Sequence, residues 1–409
     1  MNPRENAFLI LENAQNDKLF VNLALKKYLK GDDKRQKAFA TEIVYGVMRY
    51  RMRIDYAIDL FCQLKNTKVR NILRVGVYQL LYMSKVPASA ACDETVNLCK
   101  KYAGNFTGMV NAVMRKVSRE NIIFPDTFEM KYSFPTAVVE PLKRSVGEGN
   151  IEKILDALNT NKGLSARVNK IKSTEEEFEK ILDSQNTEYE KNEDCYNIKR
   201  AGDSLNDAFE SGIFTWQGAA SVKAAKLLAP QKGERVLDLC AAPGGKSCLM
   251  AQLMENEGEI ISCDLHMHRT ELIKNTASRL GVSIITTMQN DASVYNEKLG
   301  VFDKVLADVP CSGLGIIAKK PDIKWSEHDF DALSRLQFQI LKNAVKYVKN
   351  GGYIVYSTCT LNKTENENVI KRLLNENKEV VRDSDFITVY PDKFNDGFFM
   401  CRLRKVENE

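Results

Sequence analysis

The chain is predicted to be multidomain: an all-α bundle in front, a small α+β module in the middle and an α/β Rossmann-like domain at the end. Three observations predict this. Residues 5–117 repeat apolar side chains at helical spacing with short polar breaks. Residues 164–199 mix strand-like alternation with a helix that opens on acids. From residue 236 onward, short apolar runs alternate with helical patterns, the order of a parallel, helix-covered sheet. The boundaries read as 1–130, 131–212 and 213–409.

The 409 residues suffice for a buried core in each part, and composition is that of a globular protein: 44% hydrophobic and 28% charged. A net charge of +5 favours a polyanionic partner without marking a purely electrostatic binder. The start, Met1-Asn2-Pro3-Arg4, lacks a signal-peptide pattern, and no apolar run is long enough to span a bilayer. The 10 cysteines show no Cys-x-x-Cys pair. A cytoplasmic, reduced, monomeric protein without membrane contact is therefore expected. His266 and His268 lack partner ligands at usual spacings, so no metal site is expected.

In the first part, Ala7, Phe8, Leu11, Ala14, Leu19, Leu23, Leu25 and Leu29 lie at helical spacing up to Gly31. Helical runs follow over 35–48, 53–64 and 69–81, then over 90–102 and 108–117 beyond Pro87. Two basic clusters stand out, Arg49, Arg51 and Arg53, then Lys68, Arg70 and Arg74. Charge runs are usually solvated helix ends; the functional alternative is contact with RNA phosphates, which arginine forks suit. Segments 39–49, 72–81 and 110–115 resemble the NusB-type helical domain, an RNA-binding bundle. That resemblance assigns Arg49, Arg51, Arg53, Arg70 and Arg74 to RNA.

In the middle, Phe134-Pro135 and Pro141 break the chain, and residues 151–158 form an amphipathic helix. Strands are read at 164–169 and 195–199, with a helix opening at Ser173-Thr174-Glu175-Glu176-Glu177. Such a module can pack beside the last domain and extend an RNA groove, or serve only as a spacer.

The last part turns on Val236-Leu237-Asp238-Leu239-Cys240-Ala241-Ala242-Pro243-Gly244-Gly245-Lys246-Ser247, a strand, tight loop and helix start. Open sheets hold nucleotide-like cofactors at this turn. A second strand ends at Asp264, placed to reach a ribose, and a third precedes Asp291, placed for an adenine amino group. Gly245-Lys246-Ser247 mimics a phosphate loop, but Cys240 stands where that motif needs its first glycine. The dinucleotide fingerprint is absent as well. S-adenosylmethionine remains, with 240–246, Asp264 and Asp291 as contacts.

A fourth strand, 302–308, delivers Asp308 and Cys311. After a helix over 329–349, ended by Gly351-Gly352, a fifth strand over 353–360 delivers Cys359. Two thiols and a carboxylate beside adenosylmethionine suit methylation at carbon 5 of cytosine. A thiolate adding to carbon 6 makes carbon 5 enamine-like, a carboxyl group stabilises the charge at ring nitrogen 3, and a second thiol assists proton removal or release.

The motifs Asp238-Leu239-Cys240-Ala241-Ala242-Pro243-Gly244-Gly245-Lys246, Asp308-Val309-Pro310-Cys311-Ser312-Gly313 and Ser357-Thr358-Cys359-Thr360 resemble the Nol1/Nop2/Sun family of RNA cytosine-C5 methyltransferases. With the NusB-like front, the resemblance covers the whole chain and points to the branch acting on 16S ribosomal RNA, in an unassembled or partly assembled small subunit. It implies a class I methyltransferase domain and an RRM-like middle module. It makes Cys359 the nucleophile, Cys311 its helper and Asp308 the acid at the base and at the cofactor. Lys319, Lys320 and Lys324 match a basic loop over the substrate, and Asp396-Gly397-Phe398-Phe399 a closing hairpin. Gly218 departs from the family by replacing a usual acid, and lysines 319 and 320 replace a commoner arginine. The same chemistry on transfer RNA and a non-catalytic RNA-binding ribosome assembly factor are the competing readings.

Overall fold

The computed structural model describes residues 2–16, 21–31, 33–160, 162–199 and 204–407. The chain divides into two compact units, Met1–Asn159 with Lys319–Glu327, and Thr160–Ala318 with His328–Glu409. The helices over 131–159, expected to link to the middle module, thus belong to the helical unit.

That unit is built from α1 (Pro3–Asn16), α2 (Val21–Tyr28), α3 (Lys34–Asp59), α4 (Thr67–Tyr82), α5 (Ala88–Ala103), α6 (Thr107–Arg119), α7 (Phe128–Tyr132), α8 (Thr136–Val146) and α9 (Glu148–Asn159). Its core joins Phe8, Leu11, Ile43, Val47, Ile58, Ile72, Val75 and Val113, the positions the helical spacing selects. Leu19 of that pattern lies outside the described residues. Pro141 does not break the chain: it sits inside α8, where Val138, Val139, Leu142 and Val146 are buried. Burial of that apolar face outweighs the one helical hydrogen bond the proline forfeits.

The expected helices over 35–48 and 53–64 are one helix, α3, kinked at Tyr50 (φ −113°, ψ 21°). A kink strands backbone groups on both sides, which must find other partners. Trp325 Nε1 donates to the Met48 carbonyl at 2.7 Å, Lys324 Nζ to the Arg49 carbonyl at 3.0 Å, and the Met52 N–H to Ser133 Oγ at 3.0 Å.

In the second unit, β1 (Leu164–Val168), α10 (Glu175–Ser184), β2 (Tyr189–Lys191), β3 (Tyr196–Ile198), α11 (Ser204–Glu210) and β4 (Phe214–Trp216) form the small module. Its antiparallel sheet has order β2-β3-β1-β4, the RRM-like arrangement. A Thr174–Glu177 capping box starts α10. The rest is α12 (Ala219–Leu228), β5 (Arg235–Asp238), α13 (Gly245–Leu253), β6 (Glu259–Asp264), α14 (Met267–Leu280), β7 (Ile285–Gln289), β8 (Phe302–Asp308), α15 (Phe330–Tyr347), β9 (Val348–Thr358), α16 (Glu367–Glu376), β10 (Val380–Arg382), β11 (Ile387–Val389) and β12 (Phe398–Lys405).

The large sheet has order β10-β12-β9-β8-β5-β6-β7, with β5, β6, β7, β8 and β9 parallel and β12 antiparallel to β9. This is a Rossmann-like sheet. Its order reverses between β5 and β8, so their carboxyl ends open a crevice. Gly351 does not end α15, which stops at Tyr347; with φ +79° it lies in an irregular start of β9, where the β8 register shifts. The small module is bolted to this domain by β1. Arg167 Nε donates to Gln217 Oε1 at 2.7 Å, its other arm reaches Gln252 Oε1, and Gln252 Nε2 donates to Asn169 Oδ1 at 2.7 Å.

Candidate active site

The loop after β5 lies at the crevice. Gly244 has φ +100°, and a Cβ there would come 3.1 Å from Ile273 Cα, so a glycine is needed to start α13. Cys240, Ala241, Ala242, Pro243, Gly245 and Lys246 line a cavity of about 240 Å³, joined by Trp216, Gln217, Gly218, Ser221, Asp238 and Asp308. Gly218 is the N-cap of α12 and supplies no side-chain cap.

Asp238, read from the sequence only as part of the strand, is the buried acid of this cavity. Ser247 Oγ donates to its Oδ2 at 2.6 Å, while Oδ1 makes no hydrogen bond of ordinary geometry. Burial lifts its pKa to about 7 against the lowering pull of the Ser247 hydroxyl. A buried carboxylate lining a cavity suits a cationic ligand. The phosphate-free, small-residue loop together with this acid fits the amino-acid portion of S-adenosylmethionine.

The other expected cofactor acids stand at the ends of neighbouring strands but do not line this cavity. Asp264 is buried and pairs with Arg269 NH1 at 3.4 Å. Asp291 is exposed and accepts from Ser293 N and Oγ at 2.9 and 2.6 Å, a local turn. Beside them, the buried Nδ2 of Asn290 has no hydrogen-bond partner, a donor that nothing in the sequence pattern singles out.

The three expected catalytic residues converge. Because β8 and β9 pair in parallel with Asp308 opposite Ser357, the segments beyond them run side by side. Cys311 Sγ and Cys359 Sγ are 3.3 Å apart. Ser357 Oγ donates to Asp308 Oδ1 at 2.7 Å, and Lys246 Nζ to Asp308 Oδ2 at 2.7 Å. Lys246 therefore joins the Asp308 cluster as well as the loop that lines the cavity. Burial opposes its charge, but Asp308 and Asp238 outweigh that and hold its pKa above the ordinary lysine value. The Cys311 thiol is pushed well above the ordinary value by its hydrogen bond with Cys359, by burial and by the nearby charge of Glu365. Gly397 N donates to Gly315 O at 2.8 Å and Gly315 N to Cys359 O at 2.9 Å. The expected closing segment thus fixes the Cys359 backbone. A Cβ on Gly315 would sit 2.0 Å from the Gly397 carbonyl, which excludes any other residue there.

The structure corrects part of the expected RNA set. Lys324 is enclosed in the helical unit: its ammonium donates to the Arg49 and Ser133 carbonyls and to Asn159 Oδ1, at 3.0, 3.1 and 2.6 Å. It lies 3.6 Å from the Phe134 ring centre. Burial, and then Arg49, drive its pKa well below the ordinary lysine value. Arg74 is buried in a bidentate pair with Asp55 at 2.7 Å, so its fork is already filled. Arg70 bonds Asp59 and the Leu64 carbonyl, both at 2.7 Å. Arg51 lies over Trp325 and near Asp55, at 4.8 and 3.7 Å, with its pKa lowered to about 10 by burial and by Arg74. Arg53 lies over the Phe124 ring at 4.0 Å, and Arg49 is half-buried at the kink. Lys319 and Lys320 are exposed.

Residues 225–404 match the family model described as 16S rRNA methyltransferase RsmB/F, and residues 1–119 match the NusB family. The chain is 33% identical to the probable ribosomal RNA small subunit methyltransferase B of Bacillus subtilis (strain 168), over 98% of both chains. It is 32% identical to ribosomal RNA small subunit methyltransferase B of Shewanella oneidensis, over 91% of both. The crystal structure of PH0851 superposes with a TM-score of 0.83 at 27% identity, covering 99% of both chains. A methyltransferase homolog from Pyrococcus horikoshii, covered over its full length by 66% of this chain, gives 0.58 at 27% identity. The paired thiols at the strand ends, the acid-lined cavity after β5 and these full-length likenesses agree: the chain belongs to the RsmB/F family of 16S rRNA methyltransferases, fused to a NusB-family helical domain.

Proposed function

We propose that this protein methylates carbon 5 of a cytosine in small-subunit (16S) ribosomal RNA, using S-adenosylmethionine and a covalent Cys359 adduct. The observation that carries the reading is the pair Cys311 and Cys359 at 3.3 Å beside an Asp308 held by Lys246 and Ser357. One thiol suffices for a nucleophile; two in contact fit a reaction with an addition step and a release step.

Adenosylmethionine, when bound by the loop 240–246 and Asp238, supplies an electrophilic methyl group. The Cys359 thiolate adds to carbon 6 of the base, and the ring electrons shift to carbon 5, which takes the methyl group. Asp308, held by Lys246 and Ser357, is the proposed contact at nitrogen 3, and the Lys246 ammonium beside it offsets the charge that develops there. Cys311, as the thiolate left when its own proton has passed to solvent, then takes the proton of carbon 5. The electron pair left behind reforms the ring double bond and expels Cys359 as thiolate, giving 5-methylcytosine. Lys246, cationic beside Asp308, keeps a positive charge in the site throughout the cycle. Lys319 and Lys320, exposed, and the half-buried Arg49 and Arg53 are the proposed phosphate contacts.

Bisulfite sequencing of ribosomal and transfer RNA from cells with and without the protein tests the reading. One cytosine in 16S RNA should lose its mark and regain it with the wild-type chain but not with Cys359→Ala. A lost mark in transfer RNA would move the substrate, and full methylation by Cys359→Ala would overturn the mechanism.

A further inference from the structure

Glu365 lies between the end of β9 and α16 and is fully buried. Its carboxylate accepts from both sides of the thiol pair. The Ser312 N–H and Oγ donate to it at 2.8 and 2.6 Å, one residue after Cys311. Thr360 Oγ1, one residue after Cys359, lies 3.4 Å from it and 2.9 Å from Ser312 Oγ. Asn362 Nδ2 approaches at 3.4 Å. From α15, Gln337 Nε2 bonds both Glu365 and the Pro310 carbonyl at 3.0 Å. Tyr356 OH donates to the Glu365 backbone carbonyl at 2.5 Å.

A buried carboxylate served by neutral donors is a costly way to tie two loops, since desolvation of the charge is only repaid when every lone pair is satisfied. An amide or a hydroxyl could join the loops more cheaply. The carboxylate sits on Ser312, the residue next to Cys311.

We infer that Glu365 is a positioning residue for product release: its carboxylate ties the Ser312 backbone and hydroxyl, next to Cys311, to the Thr360 hydroxyl, next to Cys359, and so holds Cys311 where it can take the carbon 5 proton. The inference rests on the proposed reaction and deepens it. The nearby negative charge acts in the same direction as burial and the Cys359 contact, opposing ionisation of Cys311. Asp308, Lys246, Tyr356 and Cys359 are the other titratable groups around the pair; of these, Tyr356 also feels the Glu365 charge, which acts with burial to hold its hydroxyl above the ordinary value.

Glu365→Gln keeps the size and one acceptor but removes the charge and turns an amide NH₂ toward groups that also donate. Three readouts on the full-length protein with adenosylmethionine and a 16S RNA fragment test the clamp. Single-turnover methyl transfer should stay within about fivefold of wild type. Steady-state turnover should fall by about tenfold or more, with a protein–RNA adduct visible on denaturing gels. The alkaline rise of turnover should move to lower pH, because Cys311 ionises more readily. Ser312→Ala, which removes one donor and leaves the charge, should shift turnover in the same direction by less and leave the pH profile in place. Parallel loss of both rates with an unmoved pH profile would reduce Glu365 to a scaffold residue, and wild-type behaviour would remove it from the mechanism. Cys359→Ala run beside these separates the two ideas: methyl transfer by that variant would overturn the reaction itself, whereas an inactive Cys359→Ala with an unaffected Glu365→Gln overturns only the clamp.

Discussion

Cys311 Sγ lies 3.3 Å from Cys359 Sγ, and this contact is the largest influence holding the Cys311 thiol above its ordinary pKa. The two cysteines are therefore a coupled pair whose members cannot be varied independently. Replacing Cys359 by alanine removes Cys311's hydrogen-bond partner. Alkylation of Cys311 by iodoacetamide, followed by mass spectrometry of its peptide, should then have its pH midpoint shifted to lower pH than in the wild type. An unchanged midpoint would show that burial alone governs Cys311.

Lys246 is the cation that offsets Asp308 and Asp238 inside the site, at 2.7 Å from Asp308. Lys246→Met leaves Asp308 with Ser357 alone and Asp238 with no cation near it. A buried charge-assisted bond is worth about 2 kcal/mol, so stability should fall by roughly that amount in urea titrations. Methyl transfer should drop by about 100-fold or more, the scale of losing an electrostatic stabiliser in a closed site. Lys246→Arg keeps the charge and should recover stability better than rate, because the fork cannot occupy the single-point position of an ammonium.

Asp238 makes the cofactor cavity pH-dependent. Its folded pKa, about 7, lies above the value of an unfolded aspartate. Such a group favours the folded state fully below the unfolded pKa, about 4, and that contribution is lost as pH rises through about 7. Without ligand, the wild type should therefore lose stability relative to Asp238→Asn as pH is raised across this window. Adenosylmethionine, a cation, reverses the preference: its affinity should weaken by up to about tenfold per pH unit below about 7. Calorimetry from pH 5.5 to 8 in the two proteins reads both effects, the range being chosen to bracket about 7. A flat wild-type profile would exclude Asp238 as the counter-charge.

Much of the geometry of the candidate site was legible because it hangs on strand ends. The glycine loop after β5, Asp308 and the two cysteines each follow a short apolar run, and parallel pairing of β8 with β9 brings them together. What the sequence hid is tertiary. Asp238 reads as the last residue of a strand, and only the cavity shows it as a buried acid among the lining residues. Glu365 and Gln217 gain meaning from partners 53 and 50 residues away. Lys324 and Arg74 sit in basic runs that look solvated, yet burial against a helix kink and against Asp55 consumes them. Charge runs reveal composition, whereas exposure depends on what packs above them.

Lys324 offers a test of the helical unit that does not involve catalysis. Its ammonium serves carbonyl and amide oxygens at the α3 kink, with its pKa well below the ordinary lysine value. A lysine depressed in the folded state supports folding most at pH above its unfolded value, and that support is lost as pH falls through the folded pKa. The wild type should therefore gain stability from pH 7 toward pH 10 relative to Lys324→Met, in which the titrating group is gone. The methionine cannot serve the Arg49 and Ser133 carbonyls, so Lys324→Met should be the less stable at the alkaline end by about 1 to 3 kcal/mol. At neutral pH the gap should narrow, because there the wild type also carries the cost of a buried charge. Urea titrations followed by tryptophan fluorescence suit this, since Trp325 bonds the Met48 carbonyl at the same kink. Parallel stability curves for the two proteins across that range would show that Lys324 does not titrate with folding.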